Sequence, residues 1–228
     1  MRPKRYERNG TSISEADNAV LEEKKVCIIG CGGLGGYIAE MLLRVGVLKL
    51  TLVDPDLFDE TNLNRQLFST EIGIGKPKVL EAKKRLLSVD KNSDIRALQE
   101  KLDETNAKKI LVGHDAVVDA LDNLTGRRVA ARACRELGIP FVHAAIGGWY
   151  GQVSVILPNG EGSFEELYKN ISDDGIDKSM GNLPFVAGYA ACIQCSETVK
   201  LLLGKEPNLQ ESVVRFDLLS IELDVFGF

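Results

Sequence analysis

The chain contains a glycine turn whose residue types and spacing suit the binding of a phosphate group. Gly30-x-Gly32-x-x-Gly35 directly follows a short apolar run and precedes an apolar helical pattern. In such a turn the first glycine permits a sharp bend, the second lets backbone amides approach a phosphate, and the third lets the helix pack closely on the strand. Asp54 comes about 20 residues after the last glycine, where a carboxylate can bind a ribose hydroxyl. This unit predicts a nucleotide site and, taken alone, favours NAD.

The polar segment after Asp54 carries cations that a nicotinamide enzyme does not need. Arg65 lies between Asn62 and Gln66, and Lys78 begins the next helical pattern. Phosphoryl and nucleotidyl transfer depend on positioning and on neutralising charge at the transferring group, which arginine and lysine can supply. The alternative is that both cations are solvated surface charges, the usual place for these residue types. Their position after the glycine turn favours nucleotidyl transfer over hydride transfer.

Two carboxylates follow an apolar run over 116–118. Ligands of open α/β sheets bind at the carboxyl ends of the strands, which is where Asp119 and Asp122 lie. Asp119 most simply finishes the strand or caps the next helix. Asp122, just beyond the strand, could bind Mg²⁺ together with a triphosphate.

Five motifs, in this order and at these spacings, resemble the ubiquitin-activating-enzyme-like superfamily, specifically its bacterial MoeB/ThiF/HesA branch. They are Gly30-x-Gly32-Gly33-Leu34-Gly35, Asp54-x-Asp56, Asn62-Leu63-x-Arg65-Gln66, Pro77-Lys78 and Leu121-Asp122-Asn123. The opening Arg5-Tyr6-x-Arg8 and the run 147–153 resemble the same branch. The resemblance covers most of the chain and is far more specific than one glycine loop.

The resemblance implies a role for each matching residue. Lys78 would stabilise the transferring α-phosphate of ATP, and Asp122 would bind Mg²⁺. Arg8 would act in trans at the site of a partner subunit, which implies a homodimer. The remaining residues would hold the ATP phosphates and ribose: Gly30, Gly32, Gly33, Gly35, Asp54, Asn62, Arg65 and Gln66.

The reaction implied by the resemblance is adenylation of a small ubiquitin-like sulfur-carrier protein that ends in Gly-Gly. The terminal carboxylate of the carrier would attack the α-phosphate of MgATP and give an acyl-adenylate and pyrophosphate. A carboxylate is already ionised at neutral pH, so no general base is needed. The two histidines, His114 and His143, are accordingly expected to be structural. The carrier itself stays open among thiamine, molybdopterin and other sulfur-transfer pathways.

The cysteines depart from the family pattern. Many members have two Cys-x-x-Cys pairs that bind structural zinc, but this chain has only the spacing Cys192-x-x-Cys195, within a helical pattern. A four-thiolate site needs four ligands, so we predict no zinc. The segment 158–183, where some relatives carry a thioester or persulfide cysteine, contains none. Adenylation alone is therefore the expected activity.

Composition excludes several classes of protein. The chain has 228 residues, of which 44% are hydrophobic, and a net charge of −5, which argues against general nucleic-acid binding. No apolar run approaches the length of a membrane span, and the start lacks a secretory pattern. Five cysteines without an evident pairing pattern suit a reducing compartment, so we expect a cytoplasmic protein that binds no membrane.

Strand and helix patterns alternate and predict an α/β fold with a doubly wound, mostly parallel, Rossmann-like sheet. Strands are expected near 26–30, 49–54, 95–99, 115–119 and 140–144, and helices near 34–46, 77–89, 103–111 and 125–137. Strands near 151–157, 212–217 and 219–225 should extend the sheet in antiparallel fashion, with a helix near 184–204, and the last pair could receive the carrier.

The expected organisation is one adenylation domain over 1–228. Its parts are an N-terminal dimer arm (1–24), a nucleotide-binding core (25–157), a mobile crossover loop (158–183) and a C-terminal helix with strands (184–228).

Two other functions remain open. A related tRNA-modifying dehydratase would adenylate a small carboxylate and would need a basic surface. A non-catalytic or NAD-binding Rossmann protein would need NAD to bind beside Arg65 and Lys78.

Overall fold

The computed structural model describes residues 3–160, 164–169, 171, 180–210 and 212–227. In these residues the strands form one sheet in the order β3-β2-β1-β4-β5-β6-β7-β8. The strands are β1 (Lys25–Ile29), β2 (Lys49–Val53), β3 (Asp94–Leu98), β4 (Ala116–Asp119), β5 (Phe141–Gly147), β6 (Tyr150–Ile156), β7 (Ser212–Asp217) and β8 (Glu222–Gly227).

The first five strands along the sheet are parallel, and all of them except the edge strand β3 are covered on both faces. In β1, Val26 and Ile28 belong to one hydrophobic cluster, and Cys27 and Ile29 belong to the other. Such burial on both faces explains why the parallel strands read as continuous apolar runs rather than as alternating patterns. The predicted doubly wound, mostly parallel sheet is confirmed.

Helices lie on both faces of this sheet. They are α1 (Glu15–Glu23), α2 (Gly33–Val45), α3 (Lys78–Val89), α4 (Ala107–Leu111), α5 (Leu124–Leu137), α6 (Phe164–Leu167) and α7 (Pro184–Leu202). Residues of α2, α3 and α7 share one buried cluster, and residues of α4, α5 and α6 share the other. None of these described helices is long and apolar enough to cross a membrane.

The strand order reverses beside β1, and this reversal creates the place where a ligand can bind. The chain runs from β1 outward to β2 and β3, and then returns to pair β4 on the other side of β1. Ile29 is in register with both Val53 and Asp119, so the carboxyl ends of β1, β2 and β4 meet at one edge. Open α/β sheets bind ligands at this kind of switch point.

The last three strands are antiparallel, as predicted. A tight turn at Gly148 and Trp149, the former with φ of +58°, joins β5 to β6. Every residue described in β8 is exposed, in contrast to the buried parallel strands. The sheet therefore ends in an edge strand with little cover.

Two elements begin three or four residues later than the sequence predicts, and the other shared boundaries shift by no more than three residues. The helix expected over 103–111 begins only at Ala107, because Asp103 accepts hydrogen bonds from the Thr105 N–H and O–H groups and shapes a turn. The last strand begins at Glu222 rather than 219, because Asp217 accepts from the Leu219 N–H and a turn follows in which Ile221 has φ of +60°.

Two further helices were not predicted. Helix α1 lies within the expected arm 1–24, and the capping box between Ser14 and Asp17 begins it. Helix α6 lies within the expected crossover loop 158–183, which falls partly outside the described residues.

Candidate active site

The glycine turn combines positions that the fold requires with positions that leave open space. A Cβ atom on Gly35 would lie 1.9 Å from the Gly30 carbonyl oxygen, and one on Gly30, where φ is +101°, would lie 2.4 Å from the Ala120 oxygen. A Cβ on Gly32 would meet only the Gln66 side chain, at 3.5 Å, and one on Gly33 would come no closer than 3.7 Å to Arg65. Gly30 and Gly35 therefore serve close packing, whereas Gly32 and Gly33 face a space beside Gln66 and Arg65.

Asp54 fixes the shape of this turn. Its Oδ2 accepts a 2.7 Å hydrogen bond from the Cys31 N–H, and its Oδ1 accepts a 2.8 Å bond from the Asp56 N–H. Burial raises the pKa of Asp54, although these hydrogen bonds and the charge of Lys78 oppose the rise. Each carboxylate oxygen keeps a second lone pair, so the ribose role stays a prediction and the turn-fixing role is added to it.

Gln66 offers an unused polar atom beside the turn. Its side chain is buried, and its Oε1 has no hydrogen-bond partner among the described residues. A buried acceptor left unpaired costs about 1–3 kcal/mol. A ligand that places a donor here, such as a ribose hydroxyl or an ordered water, would remove that cost, so the residues present fit a bound nucleotide.

Asn62 lies in the same segment but its side chain is already occupied. Its Oδ1 accepts a 3.0 Å hydrogen bond from the Asp59 N–H in a capping box of the short 3-10 helix Glu60–Asn62. Asn62 thereby holds the segment that carries Arg65. A direct contact between Asn62 and phosphate stays a prediction.

Arg65 and Lys78 bring positive charge to the glycine turn from two different elements. Arg65 Nη1 donates to the Thr61 carbonyl at 2.9 Å and to Asn64 Oδ1 at 2.8 Å, which leaves Nε and Nη2 without a partner among the described residues. Lys78 opens α3 and is 7% exposed, and its Nζ lies 3.1 Å from Asp56 Oδ2. Arg65 therefore borders the space at Gly33, and Lys78 lies close enough to Asp54 and Cys31 to interact with them electrostatically. A contact of either cation with a phosphate stays a prediction.

Asp122 follows β4, which lies on the other side of β1 from the strand that precedes these cations. Asp122 comes two residues after Ala120, whose carbonyl oxygen packs on Gly30, and the side chain of Asp122 is exposed. Oδ1 accepts a 3.2 Å hydrogen bond from Asn123, which in turn caps α5. Magnesium is commonly held by one or two carboxylates together with substrate phosphates and water, so Asp122 fits the predicted magnesium role.

Arg8 is the one predicted site residue that the chain holds far from the others. Its 3-10 helix, Lys4–Asn9, is anchored by buried Tyr6, by an ion pair between Arg5 and Asp90, and by a 3.3 Å bond from Asn9 to the Val45 carbonyl. Val45 ends α2, whose 13 residues place this end about 20 Å from the glycine turn. Arg8 therefore lies too far from the glycine turn of its own chain to act there, and its role in trans stays a prediction.

The two cysteines of the Cys-x-x-Cys spacing lie on α7, as the helical pattern predicted. Cys195 is buried and its thiol donates to the Ile38 carbonyl, whereas Cys192 is exposed and lies 3.7 Å from the Met41 sulfur. Burial raises the pKa of the Cys195 thiol. Cys195 is thus part of the packing between α2 and α7.

The sequence prediction missed a buried polar cluster beside Asp122. Asp119 and His143 are fully buried and lie 2.6 Å apart, between Oδ2 and Nδ1. Arg127 and Tyr168 complete the cluster from α5 and from the residue after α6. The only sequence signal was the presence of charged residues in apolar surroundings. His114 is structural, since its ring nitrogens contact the Leu111 carbonyl and Thr51.

Known proteins resemble this chain over nearly its whole length. A model of the ThiF family matches residues 6–227. The SAMP-activating enzyme E1 of Haloferax volcanii is 30% identical over 211 residues, which cover 91% of this chain and 78% of that protein. The molybdopterin-synthase adenylyltransferase of Haemophilus influenzae is 31% identical, with coverage of 89% and 84%. The adenylyltransferase of the sulfur carrier ThiS from Bacillus subtilis is 31% identical, with coverage of 90% and 62%.

Solved structures agree on the fold. Escherichia coli MccB with ATP has a TM-score of 0.87 at 21% identity and covers 98% of this chain, which spans 71% of MccB. PaaA has a TM-score of 0.83 at 23% identity, with coverage of 98% and 72%. The family model and the similarity of the relatives establish that this chain belongs to the ThiF family.

Proposed function

We propose that this protein adenylates the C-terminal carboxylate of a small, ubiquitin-like sulfur-carrier protein that ends in Gly-Gly. A carboxylate oxygen would form a bond to the α-phosphorus of ATP, and the bond from that phosphorus to the bridging oxygen of the β-phosphate would break. The products would be the carrier acyl-adenylate and pyrophosphate. The observation that carries this proposal is the open glycine turn at the switch point of the sheet, with Arg65 beside Gly33, Lys78 paired with Asp56 after β2, and Asp122 following the end of β4.

The site residues would contribute position and charge. The turn at Gly32 and the N-terminus of α2 would receive phosphate oxygens, and Arg65 and Lys78 would neutralise charge at the α-phosphate. Asp122 would hold Mg²⁺, which when bound to ATP neutralises charge on the departing pyrophosphate. A general base is unnecessary because the attacking carboxylate is already ionised.

The relatives support this choice of substrate. The names of several of them refer to adenylation or activation of carrier proteins, including ThiS in Bacillus subtilis and SAMP in Haloferax volcanii. Apolar side chains that could meet a carrier are exposed on β8, where Leu223 is 51% and Val225 is 58% exposed. The pathway, whether for thiamine, for molybdopterin or for another sulfur compound, would follow from the carrier that binds.

The direct test is carrier-dependent exchange between ATP and labelled pyrophosphate, assayed with Gly-Gly carriers encoded near the gene. We expect exchange that requires Mg²⁺, ATP and a free carrier carboxylate. A carrier with an amidated C-terminus is the matched control and should support no exchange. Tight NAD binding without exchange on any carrier would contradict the proposal and favour a dinucleotide-binding role.

The proposed active unit is a homodimer in which Arg8 completes the site of the partner. Support comes from the anchored N-terminal 3-10 helix, which holds Arg8 away from the glycine turn of its own chain. Mixing Arg8→Ala with Lys78→Ala subunits, each inactive alone, should restore one intact site in each heterodimer. Verified subunit exchange without recovered activity would reject the shared site.

A cytoplasmic location and the absence of zinc remain proposals. All five cysteines are free thiols, which fits a reducing compartment. Elemental analysis of purified protein should find no stoichiometric zinc. About one zinc ion for each subunit, lost on changing Cys192 to serine, would show that the ligand set extends beyond this pair.

A further inference from the structure

A buried polar cluster fixes the turn that carries Asp122. The turn over 119–121 is held at four backbone atoms. Asp119 Oδ1 accepts from the Leu121 N–H at 2.9 Å, and Arg127 donates to the Leu121 carbonyl. From the other side, Gln194 donates to the Asp119 carbonyl at 2.8 Å, and the Ala120 N–H donates to the Ile29 carbonyl at 2.8 Å. The backbone next to Asp122 therefore has little freedom to move.

The charges inside this cluster balance one another. Asp119 is fully buried, and the guanidinium of Arg127, which is 3% exposed, places Nε 3.3 Å from Asp119 Oδ2. A buried charge that loses its partner is costly, so this pair holds its two elements together. The pair joins the end of β4 to α5, and Asp122 lies in the segment between them.

A chain of hydrogen bonds extends the cluster toward the crossover segment. The Gln152 amide donates to the Tyr168 hydroxyl oxygen at 2.8 Å, so the hydroxyl proton is available for His143 Nε2 at 2.7 Å. Nδ1 of His143 then carries the ring proton and donates it to Asp119. Burial lowers the pKa of His143, which favours this neutral form of the ring. The position of Tyr168 is thus linked to the turn through two side chains.

We propose that Arg127, together with Asp119, is a positioning residue that holds the Asp122 carboxylate in place for MgATP, and that Tyr168 supports the same turn through His143. The inference rests on the proposed function only in assigning Asp122 to MgATP. Substitution of a residue that holds and orients a metal ligand, without touching the metal itself, typically changes metal affinity or activity by about 10–100-fold. Arg127 would then control the magnesium dependence of nucleotide binding without any contact between Arg127 and the nucleotide.

The test measures ATP binding by calorimetry over a series of Mg²⁺ concentrations, without any carrier. Arg127→Lys keeps the buried charge but cannot match the forked geometry of the guanidinium. We expect the Mg²⁺ concentration for half-maximal ATP binding to rise about tenfold, while binding of metal-free ATP is unchanged. Arg132→Lys is the matched control on the same helix, because Arg132 is exposed and its one ion pair with a described residue is to Glu104, and it should behave as the wild type.

A double-mutant cycle separates positioning from general stability. If Arg127 acts through Asp122, Arg127→Lys should add no further change to the magnesium dependence of an Asp122→Asn protein. Additive effects, or equal loss of ATP binding with and without Mg²⁺, would overturn the proposal. Tyr168→Phe keeps the ring and removes only the hydroxyl, and it should shift the magnesium dependence in the same direction by a smaller factor. Unchanged magnesium dependence in both folded variants would also overturn it.

The outcome for the wild type distinguishes this inference from the proposed function. Wild-type protein without magnesium-dependent ATP binding would refute the proposed function. Wild-type protein with such binding, joined to unaffected Arg127→Lys and Tyr168→Phe variants, would refute only the positioning role.

Discussion

The parallel strands β3-β2-β1-β4-β5 and the antiparallel strands β6-β7-β8 belong to one sheet but differ in how they are covered. In the parallel part, side chains pack into hydrophobic clusters on both faces, and the candidate site lies where the strands end. In the antiparallel part, β8 exposes Leu223 and Val225 by more than half. The difference supports the proposed division of roles, with nucleotide chemistry at the ends of the parallel strands and carrier binding at the antiparallel edge.

The largest expected effect is a loss of stability when Gly35, which packs against the end of β1 in the parallel part, is substituted. A Cβ there would lie 1.9 Å from the Gly30 oxygen, so Gly35→Ala should lower the free energy of unfolding by about 3 kcal/mol or more. Gly32→Ala is the matched variant, because its Cβ would meet only the Gln66 side chain at 3.5 Å. It should fold normally but bind ATP weakly. Equal free energies of unfolding for the two proteins, measured by denaturant titration, would contradict this account.

A comparably large effect, on rate and not on stability, is expected at Lys78. Lys78→Ala should lower carrier-dependent exchange by about 10³-fold, because a preorganised charge at the reacting phosphate is lost. Lys76→Ala is the control, since the Lys76 side chain is exposed on the preceding turn. The circular dichroism spectrum and melting temperature should show that both proteins fold. Equal exchange rates in the two variants would show that the Lys78 charge takes no part in the reaction.

A third prediction tests the exposed edge. Leu223→Ser with Val225→Ser should leave ATP binding and stability nearly unchanged, because these side chains are already largely exposed. If the carrier covers them, its apparent KM in exchange should rise about tenfold, as expected for the loss of about 1.4 kcal/mol of apolar contact. Glu222→Gln, on the opposite face of the strand, is the control. An unchanged KM would move the carrier surface elsewhere.

The smallest expected effect is a dependence of stability on pH that comes from the parallel part. Burial lowers the pKa values of both His114 and His143. Their contribution to stability is therefore complete above the ordinary histidine pKa of about 6.5, and it is lost as the pH falls toward the lower folded values. The free energy of unfolding should decrease between about pH 7 and pH 5. His114→Asn should show a shallower decrease than the wild type, and an identical slope would contradict this assignment.

Site residues that belong to a local sequence motif could be predicted from the sequence. Residues from separate segments that come together only in the folded chain could not. The glycine turn, Asp54 and Lys78 lie in short segments in which the residue types and their spacing predict nucleotide binding. Helix α1 was missed because few of its residues are buried, although Ser14 and Asp17 form a capping box. The cluster around Asp119 was missed because Arg127, His143 and Tyr168 come from separate elements, and no periodic pattern predicts buried polar partners.

The transfer of the α-phosphate tests the central claim most directly. Protein, Mg²⁺ and a Gly-Gly carrier would be incubated with ATP that is radiolabelled at the α-phosphate or, in a parallel sample, at the γ-phosphate. We expect the carrier to gain the α label, and the γ label to leave entirely in pyrophosphate. Label from the γ-phosphate on the carrier, or equal α labelling of a carrier whose C-terminus is amidated, would contradict adenylation of the terminal carboxylate.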